Sequence, residues 1–407
     1  MATTDHLMID RRILQEAKTL VENGYEVTVL AGFECPSRES YTVDGVRIER
    51  FVYEWSDSRF VAFAQRWRLI PGTRIHAILW RLFRLWANRL AGISCFDQFV
   101  LDQMLRHEEV DIVHAHDYPV LAAAAEFARR RGIPLVYDAH EIYYAQYQLS
   151  SRVRRRIRQR EQALLPCAAA VITVNPYIAR LMAERYGIPE PWVILNAAPL
   201  RRIEKAGEAG GEKAGALRRH FGLGAATRIV LYQGWISEGR GIERLVEAAA
   251  LLAEGIVLVI VGYGDFAAVL HQRVAELGLE GRVLFYGPAT PDELHTLTCD
   301  ADLGVIPYHG LDENNYFCSP NKLFEFTVAG LPFVCNDLPF LRDITTRHGC
   351  GIATDLTTPE AIARAINGVF AAPETLPTLR AGALAAREEL NWEMEGRKLM
   401  EIYCGLG

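Results

Sequence analysis

Residues 319–325 combine a helix start with side chains suited to a phosphorylated ligand. The run reads Ser319, Pro320, Asn321, Lys322, Leu323, Phe324 and Glu325. Ser319 and Pro320 initiate a helix whose first backbone N–H groups, around Asn321 to Leu323, have no partner within the helix. Such a helix start binds anions because the free N–H groups and the helix dipole both favour negative charge. Glu325 falls about one turn further on, where it can accept hydrogen bonds from hydroxyl groups. The run predicts a phosphate-and-sugar-binding helix start.

Two glycine-containing turns follow predicted strands in the second half of the chain. Gly234 ends one strand, and Gly239-Arg240-Gly241 opens the next helix. An arginine at this edge of a sheet offers a planar fork that matches phosphate oxygens. Gly262 and Gly264 follow another strand but lack the third glycine of a dinucleotide fingerprint. We interpret this pair as a close approach of the backbone to a ligand, with an ordinary strand-to-helix turn as the alternative.

Two histidines terminate predicted strands of the first half. His116 is followed by Asp117, and His140 is followed by Glu141. A single histidine is more often a structural hydrogen-bonding group than a catalyst, but two at equivalent strand ends indicate a functional pair. We found no hydrolase triad, no Walker loop and no metal-ligand spacing, so we expect no bound metal.

The elements that must position these residues form two successive α/β repeats. Strands that alternate with helices indicate parallel, doubly wound sheets, in which ligands bind at the carboxyl ends of the strands. Strands of the first repeat are predicted at 26–31, 46–51, 112–116, 135–140 and 170–175. The repeat opens with a helix at 10–21, so the first ten residues form a first strand poorly or that strand is missing. We favour a missing strand, as in a truncated or late-starting chain.

The alternation restarts after a segment rich in glycine, alanine and charge at 199–216, which is typical of a linker. Strands of the second repeat are predicted at 228–233, 257–261, 283–286, 303–307 and 333–335. One long helix is predicted at 381–403. The chain therefore divides into an N-terminal domain at 1–198, the linker, a second domain at 217–380, and a C-terminal helical segment at 381–407 that is expected to pack back toward the first domain.

Length and composition limit the classes of protein that fit. A chain of 407 residues suits two domains, and its net charge of −6 argues against nucleic-acid binding. Its eight cysteines are scattered without a Cys-x-x-Cys pair, which favours reduced thiols in a cytosolic protein. No signal peptide and no apolar run of about 18 residues appears. We expect a cytoplasmic protein.

Two arginine-rich segments could carry an interaction surface. The segment from Arg66 to Leu90 mixes tryptophans and leucines with Arg66, Arg68, Arg74, Arg81, Arg84 and Arg89. It reads either as a basic amphipathic helix on an anionic membrane or lipid-linked acceptor, or as a helix with solvated arginines and a packed aromatic face. The second cluster runs from Arg152 to Arg160 and more often indicates a solvated face. The protein is therefore expected to be peripheral on the cytoplasmic side of a membrane, or not membrane-bound.

The ordered set of these motifs resembles the retaining glycosyltransferases of family 4. The resemblance covers nearly the whole chain, through Asp10-Arg-Arg-Ile, Gly24-Tyr-Glu-Val-Thr-Val-Leu-Ala, Asp111-Ile-Val-His-Ala-His-Asp, Tyr137-Asp-Ala-His-Glu, Val174-Asn-Pro, Tyr232-Gln-Gly, Arg240-Gly, Val261-Gly-Tyr-Gly, Ala301-Asp-Leu-Gly-Val-Ile-Pro and Ser319-Pro-Asn-Lys-Leu-Phe-Glu. It implies the GT-B fold, in which two Rossmann-like domains face each other across an active-site cleft.

The resemblance also implies roles for individual residues. Glu325 is expected to bind the ribose of a nucleotide diphosphate sugar, and Arg240 and Lys322 its diphosphate. His140 is expected at the transferred sugar, so the catalytic group is His140, Arg240 and Lys322. The donor-binding set is Gly234, Arg240, Gly262, Gly264, Ser319, Asn321, Lys322, Leu323 and Glu325. On the acceptor side, the expected residues are His116, Asp117 and Glu141. The donor is a substrate, and no separate cofactor is expected.

This chain departs from the family pattern in one loop and at two positions. The glycine-rich loop that follows the first strand in relatives, and helps form their donor or acceptor site, has no counterpart before Asp10. The acid that usually lies eight residues before Glu325 is replaced by Phe317, so the residue that often holds the donor hexose is absent. Trp235 stands where many members have arginine, which removes one cation from the diphosphate site.

The expected activity is metal-independent, retaining transfer of a hexose or N-acetylhexosamine to a glycan or lipid-linked acceptor in cell-surface polysaccharide assembly. Two alternatives stay open: a nucleotide-sugar epimerase of the same fold, and a catalytically weak donor-binding or scaffold protein.

Overall fold

The computed structural model describes residues 1–5, 8–53, 58–91, 94–200 and 215–406. The chain forms two compact units. Unit 1 comprises Met1–Tyr144, Leu149–Val193 and Lys398–Gly407, and unit 2 comprises Ala145–Gln148 and Ile194–Arg397. Most of the predicted linker, 201–214, lies outside the described residues.

Unit 1 is built on an eight-stranded sheet with the order β3-β4-β2-β1-β5-β6-β7-β8. Its neighbours pair in parallel except β3 and β4, which are antiparallel. The strands are β1 Ala2–Thr3, β2 Thr28–Ala31, β3 Glu39–Val43, β4 Val46–Arg50, β5 Val113–His116, β6 Leu135–Ala139, β7 Ala170–Thr173 and β8 Trp192–Val193. The sequence did not predict β3, a short strand in which all five residues are exposed, so it has no buried apolar face.

The prediction that the first strand is missing is wrong, because a short strand occupies its place. Ala2 pairs with Leu30 of β2 and Ala115 of β5, so β1 lies between them in the sheet. The strand has only two residues, both buried, and the polar Asp5 follows soon after it. A run this short leaves no apolar pattern in the sequence.

The helices of unit 1 place its polar residues and its basic segment. They are α1 Arg11–Glu22, α2 Ser58–Arg66, α3 Arg74–Ala91, α4 Cys95–Met104, α5 Tyr118–Arg131, α6 Ser151–Leu164 and α7 Pro176–Tyr186. Asp10 caps α1, since its side chain accepts a hydrogen bond from the Arg12 backbone N–H. The basic segment predicted as one helix is divided between α2 and α3. Gly72 adopts φ 83° after Pro71, which ends helical geometry there.

Unit 2 contains a six-stranded, all-parallel sheet with the order β11-β10-β9-β12-β13-β14. Its strands are β9 Arg228–Gln233, β10 Ile256–Val261, β11 Val283–Gly287, β12 Leu303–Ile306, β13 Phe333–Asn336 and β14 Gly351–Thr354. Its helices are α8 Ala216–Phe221, α9 Ile242–Ala248, α10 Ala267–Leu277, α11 Pro291–Asp300, α12 Glu313–Tyr316, α13 Asn321–Val328, α14 Pro339–His348, α15 Pro359–Ala371 and α16 Thr375–Ala386. Completely buried strands such as β10 are typical of a parallel sheet covered on both faces.

The prediction of a single long helix at 381–403 is wrong. The segment contains the end of α16 and a separate helix, α17, at Trp392–Cys404. Asn391 separates them, because its side-chain oxygen accepts a hydrogen bond of 3.0 Å from the Met394 backbone N–H. An asparagine at this position caps the start of a new helix.

Candidate active site

Helix α13 presents the predicted anion-binding start in unit 2. Leu323 N donates a hydrogen bond of 3.0 Å to Pro320 O, which tightens the first turn. The Leu323 side chain is fully buried and its backbone N–H is engaged by Pro320 O, so the free N–H expected at Leu323 is not seen. Asn321 is half-buried at the first helical position, whereas the buried Ser319 hydroxyl has no hydrogen-bond partner among the described residues.

Lys322 holds its ammonium group against two tyrosine rings. Nζ lies 3.7 Å from the ring centroid of Tyr232 and 4.6 Å from that of Tyr308, distances at which a cation is attracted to the ring face. The side chain is buried, and no hydrogen-bond partner for Nζ lies within the part of the chain that the structure describes. Burial, reinforced by the nearby charge of Arg240, holds the pKa of Lys322 well below its usual range. An anion at this position would supply the missing partner.

Arg240 approaches the same tyrosine from the loop before α9. Its Nη1 donates a hydrogen bond of 2.6 Å to the Tyr308 hydroxyl, and the guanidinium carbon lies 5.2 Å from the centroid of that ring. Gly234 adjoins the cluster, since a Cβ atom added there would lie 3.8 Å from Lys322 Nζ. The structure therefore brings together three predicted residues, Gly234, Arg240 and Lys322.

Gly262 and Gly264 have a different structural reason to be glycine. A Cβ atom on Gly262 would lie 2.0 Å from Gly234 O, and one on Gly264 would lie 2.1 Å from Ile236 O. The two loops also pair through their backbones, as Gly234 N donates to Val261 O at 2.9 Å and Ile236 N donates to Tyr263 O at 2.8 Å. The close approach is made to a neighbouring loop, which favours the strand-to-helix alternative for this pair.

Glu325 is positioned by a buried glutamine that the sequence analysis missed. Gln233 Nε2 donates a hydrogen bond to the Glu325 carboxylate, and Gln233 Oε1 accepts one of 2.8 Å from Thr298 Oγ1. Gln233 is completely buried at the end of β9. The sequence does contain a signal for this residue, because Gln233 is a polar amide at the end of an otherwise apolar strand. Glu325 itself is half-buried, so one side of it remains accessible.

Aromatic side chains stand at the two positions that depart from the family pattern. Phe317 packs edge-on against Tyr316, with 4.9 Å between ring centroids. Trp235 packs edge-on against Tyr263 at 5.0 Å, and its side chain is 38% exposed. At both positions an aromatic side chain stands in place of the charged one that the family pattern implies.

A second polar group lies in unit 1 at the ends of β5 and β6, and it contains His116 and His140. His140 Nε2 lies 3.1 Å from Asp138 Oδ2 and 3.2 Å from His116 Nδ1. Arg12 donates to both oxygens of Asp138, from Nε at 2.9 Å and from Nη2 at 3.0 Å. Arg12 and Asp138 were not predicted as site residues, because their pairing joins positions far apart in the chain.

Asp117 connects to His140 from the end of β5. Its Oδ1 accepts a hydrogen bond of 2.9 Å from the His140 backbone N–H, and its Oδ2 lies 3.6 Å from His140 Nδ1. Burial raises the pKa of Asp117 to about 7, although His140 opposes that rise and the half-buried Glu141 adds to it. The structure therefore brings together His116, Asp117 and His140.

The protonation states of the two histidines differ. Burial lowers the pKa of His116 to about 4, which keeps that ring neutral. Burial alone would also lower the pKa of His140, but Asp117 and Asp138 raise it to about 10. His140 is thus a cation at neutral pH.

One group of unit 1 residues is close enough to hold a metal ion. Ligand atoms of Glu16, His114, His116 and Asp138 lie within 4.8 Å of one another. The Arg12 guanidinium already contacts both carboxylates, at 3.0 Å from Glu16 and 2.9 Å from Asp138. Because Arg12 balances the charge of Asp138, and burial raises the pKa of Glu16 well above its usual range, we assign the cluster as an ion-pair network.

Family models match most of the chain. The model described as Glycosyltransferase Family 4 matches residues 9–202, and the model for Glycosyl transferases group 1 matches residues 216–383. The chain belongs to glycosyltransferase family 4. The predicted family is therefore confirmed, and the protein is a glycosyltransferase of the GT-B type.

Similar proteins agree with this assignment. An uncharacterised glycosyltransferase of Methanocaldococcus jannaschii is 24% identical over 359 residues, which cover 87% of this chain and 83% of that protein. A D-inositol 3-phosphate glycosyltransferase of Thermobispora bispora is 27% identical, with coverages of 72% and 70%.

Solved structures share the fold. Anabaena HepE in complex with UDP and glucose has a TM-score of 0.69 at 16% identity, covering 100% of this chain and 98% of that one. The sucrose-phosphate synthase of Thermosynechococcus elongatus has a TM-score of 0.71 at 18% identity, with coverages of 99% and 95%.

The described residues contain no helix that is both long enough and apolar enough to cross a bilayer.

Proposed function

We propose that this glycosyltransferase transfers a hexose or N-acetylhexosamine from a nucleotide diphosphate sugar, with retention and without a metal, to a glycan or lipid-linked acceptor in cell-surface polysaccharide assembly. The observation that carries the donor assignment is the buried ammonium of Lys322 at the start of α13, which has no hydrogen-bond partner among the residues that the structure describes. HepE, a structural neighbour, binds UDP and UDP-glucose, which makes UDP the first donor nucleotide to test.

The arrangement in unit 2 suits departure of a nucleoside diphosphate. Cations fixed where negative charge develops stabilise the transition state of such a step. Lys322 and Arg240 would bind the leaving diphosphate, with the N–H groups at the start of α13. Glu325, held by Gln233, would accept hydrogen bonds from the ribose hydroxyls. His140 would bind the transferred hexose. We propose attack from the face that the diphosphate leaves, with a diphosphate oxygen taking the acceptor's proton.

A thermal-shift screen with nucleoside diphosphates and UDP-sugars tests donor binding, because a ligand that binds only the folded state stabilises it. UDP should raise the Tm of the wild-type protein. Lys322→Met and Arg240→Ala should each weaken binding about 10- to 100-fold, as expected for lost hydrogen bonds to a charged group. Wild-type affinity and transfer rates in both variants would refute the diphosphate assignment.

Product analysis separates the proposed activity from the alternatives. Transfer to an acceptor or hydrolysis of the donor, unchanged by a chelator, supports the metal-independent transferase. Conversion of UDP-N-acetylglucosamine without an acceptor would identify an epimerase. Donor binding without turnover over a wide acceptor panel would favour the scaffold, for which Phe317 and Trp235 are the motivating departures.

We also propose that α2, α3 and the turn between them bind an anionic membrane surface or a lipid-linked acceptor, at the cytoplasmic face of a membrane. The turn exposes 66% of Trp67 and 68% of Ile70. Along α3, Ile75, Ile78 and Leu82 are 65%, 59% and 57% exposed at helical spacing. Residues 58–91 contain seven arginines and no acidic residue. An exposed apolar face with basic neighbours is typical of interfacial helices.

The second arginine cluster, on α6, supports a membrane role less well. Arg160 forms an ion pair of 2.6 Å with Asp97, and Arg154 donates to the Leu149 carbonyl. These contacts are structural, and the exposed arginines of α6 lack neighbouring tryptophans.

Vesicle binding tests the membrane proposal. Wild-type protein should sediment with vesicles that contain anionic lipid, and binding should weaken with salt. Arg74→Gln combined with Arg81→Gln should reduce binding, whereas Arg155→Gln combined with Arg158→Gln on α6 is the matched control. Binding that is absent, independent of salt or equal in both double variants would contradict the proposal.

A further inference from the structure

The ring of His140 has a carboxylate beside each of its nitrogens. Nε2 lies 3.1 Å from Asp138 Oδ2, and Nδ1 lies 3.6 Å from Asp117 Oδ2. A neutral imidazole has one donor nitrogen and one acceptor nitrogen, whereas the cation donates from both. One carboxylate would leave the second nitrogen free to act as a base. Two carboxylates stabilise the doubly protonated ring.

Asp138 is fixed as an anion by its other contacts. The bidentate contact with Arg12 engages both carboxylate oxygens, and both side chains are buried. Burial would raise the pKa of Asp138, but Arg12 and His140 together hold it well below its usual range. His140 Nε2 therefore faces a permanent negative charge.

Asp117 is held in an uncommon backbone conformation. Its φ of 63° and ψ of 165° lie in a region that residues other than glycine rarely adopt. Two hydrogen bonds hold this conformation. Asp117 N donates one of 2.8 Å to Asp138 O, and Asp117 Oδ1 accepts one of 2.9 Å from His140 N. Such strain clusters at functional sites. Here it places the second carboxylate beside Nδ1.

We propose that Asp117 and Asp138 are positioning residues that keep His140 protonated at both ring nitrogens, so that its Nδ1–H, which lies beyond hydrogen-bond distance of Asp117, binds a substrate oxygen and the ring does not act as a general base. The inference rests on the proposed function, because it defines what His140 offers to the sugar or diphosphate of the donor. The side chain is 13% exposed, which leaves it accessible to a ligand atom.

The surrounding charges are consistent with this role. His140 is influenced by groups on α1, on β5 and β6 and on the segment after β1, namely Asp5, Arg12, Glu16, His116, Asp117 and Asp138. Arg12 opposes a positive ring, but its charge is shared with Asp138 and Glu16. His116 is neutral because burial lowers its pKa.

Asp117→Asn is the sharpest test, because asparagine keeps the Oδ1 acceptor for the His140 backbone N–H, tolerates positive φ, and replaces the charged Oδ2 with a neutral amide group of the same size. The ring state is read by NMR of full-length protein labelled with ¹⁵N-histidine. Wild-type His140 should stay doubly protonated at pH 8. In Asp117→Asn its proton affinity should fall at least roughly tenfold, which is one pKa unit. Asp138→Asn should have the same effect, and the surface variant Asp111→Asn should have none.

Kinetics provide a second reading. Between pH 8 and 10 Asp117→Asn should lose transfer rate relative to the wild type, because a ring that titrates about one pKa unit below the wild-type value of about 10 deprotonates in that window. Its UDP affinity in unit 2 should equal that of the wild type. A wild-type His140 that titrates near the ordinary value of about 6.5 would overturn the proposal. The proposal would also be overturned if His140 in Asp117→Asn had the same pKa as in the wild type. Because the NMR reading needs no donor, it stands even if the protein proves inactive, whereas failure of the proposed function would appear as absent UDP binding and turnover.

Discussion

Lys322 places its ammonium nitrogen 3.7 Å from the centroid of the Tyr232 ring, and that nitrogen has no hydrogen-bond partner among the described residues. A buried ammonium that lies against aromatic rings without a hydrogen-bonded anion is stabilised less than one paired with an anion. The arrangement therefore disfavours the charged form until a ligand arrives.

Diphosphate binding should take up a proton at Lys322. Because burial lowers its pKa, Lys322 loses its proton below the usual value of about 10.4, and an adjacent anion would restore it. Calorimetric titration of UDP in buffers of different ionisation enthalpy measures this uptake. It should be seen at alkaline pH in the wild type and be absent in Lys322→Met. Equal proton uptake in both proteins would contradict the assignment.

Lys322→Met should stabilise the ligand-free protein while weakening UDP binding. The unfolded chain binds more protons than the folded one between the lowered pKa and the unfolded value, so wild-type stability rises with pH in that window. Methionine removes the cost of burying an ammonium group, so we expect the free energy of unfolding to rise by about 1 kcal/mol at neutral pH. Urea denaturation from pH 7 to 10 measures it, with a shallower pH dependence in the variant. A less stable variant would show that Lys322 stabilises the fold.

Gly262→Ala should destabilise unit 2 by about 2–4 kcal/mol through overpacking and backbone strain. The new Cβ would lie 2.0 Å from Gly234 O, at a φ of 148°. Gly281→Ala is the matched control, because no atom lies within 4 Å of the added Cβ and its φ is outside the positive range. Thermal denaturation compares the two. Similar Tm values would mean that the loops containing Gly234 and Gly262 can move apart without a loss of stability.

Sequence patterns predicted those parts of the fold that are determined by residues close together in the sequence. Strand β9 was placed at its observed bounds because apolar residues fill it, and α13 was placed by Ser319-Pro320 before it. The divided C-terminal helix was missed because Asn391 looks like an ordinary polar residue until its cap is seen.

The missed site residues depend on distant pairing. Arg12 and Asp138 are 126 positions apart, and their contact determines what His140 faces. Gln233 and Glu325 are 92 positions apart. No local sequence pattern predicts these pairs, because the two residues of each pair lie on different elements that come together only in the folded protein.

The pairing of Gln233 with Glu325 predicts a selective loss of nucleotide affinity. Gln233→Leu removes the donor to Glu325 and the acceptor for Thr298, so the carboxylate should lose its fixed orientation. If Glu325 binds ribose, UDP affinity should fall about tenfold, the effect of one net hydrogen bond of about 1.4 kcal/mol. Inorganic pyrophosphate contains no ribose, so its affinity should not change. Glu325→Gln should show the same selectivity, whereas Arg240→Ala should weaken both ligands. Equal losses for UDP and pyrophosphate in Gln233→Leu would place Glu325 at the phosphates, because only a shared group can weaken both.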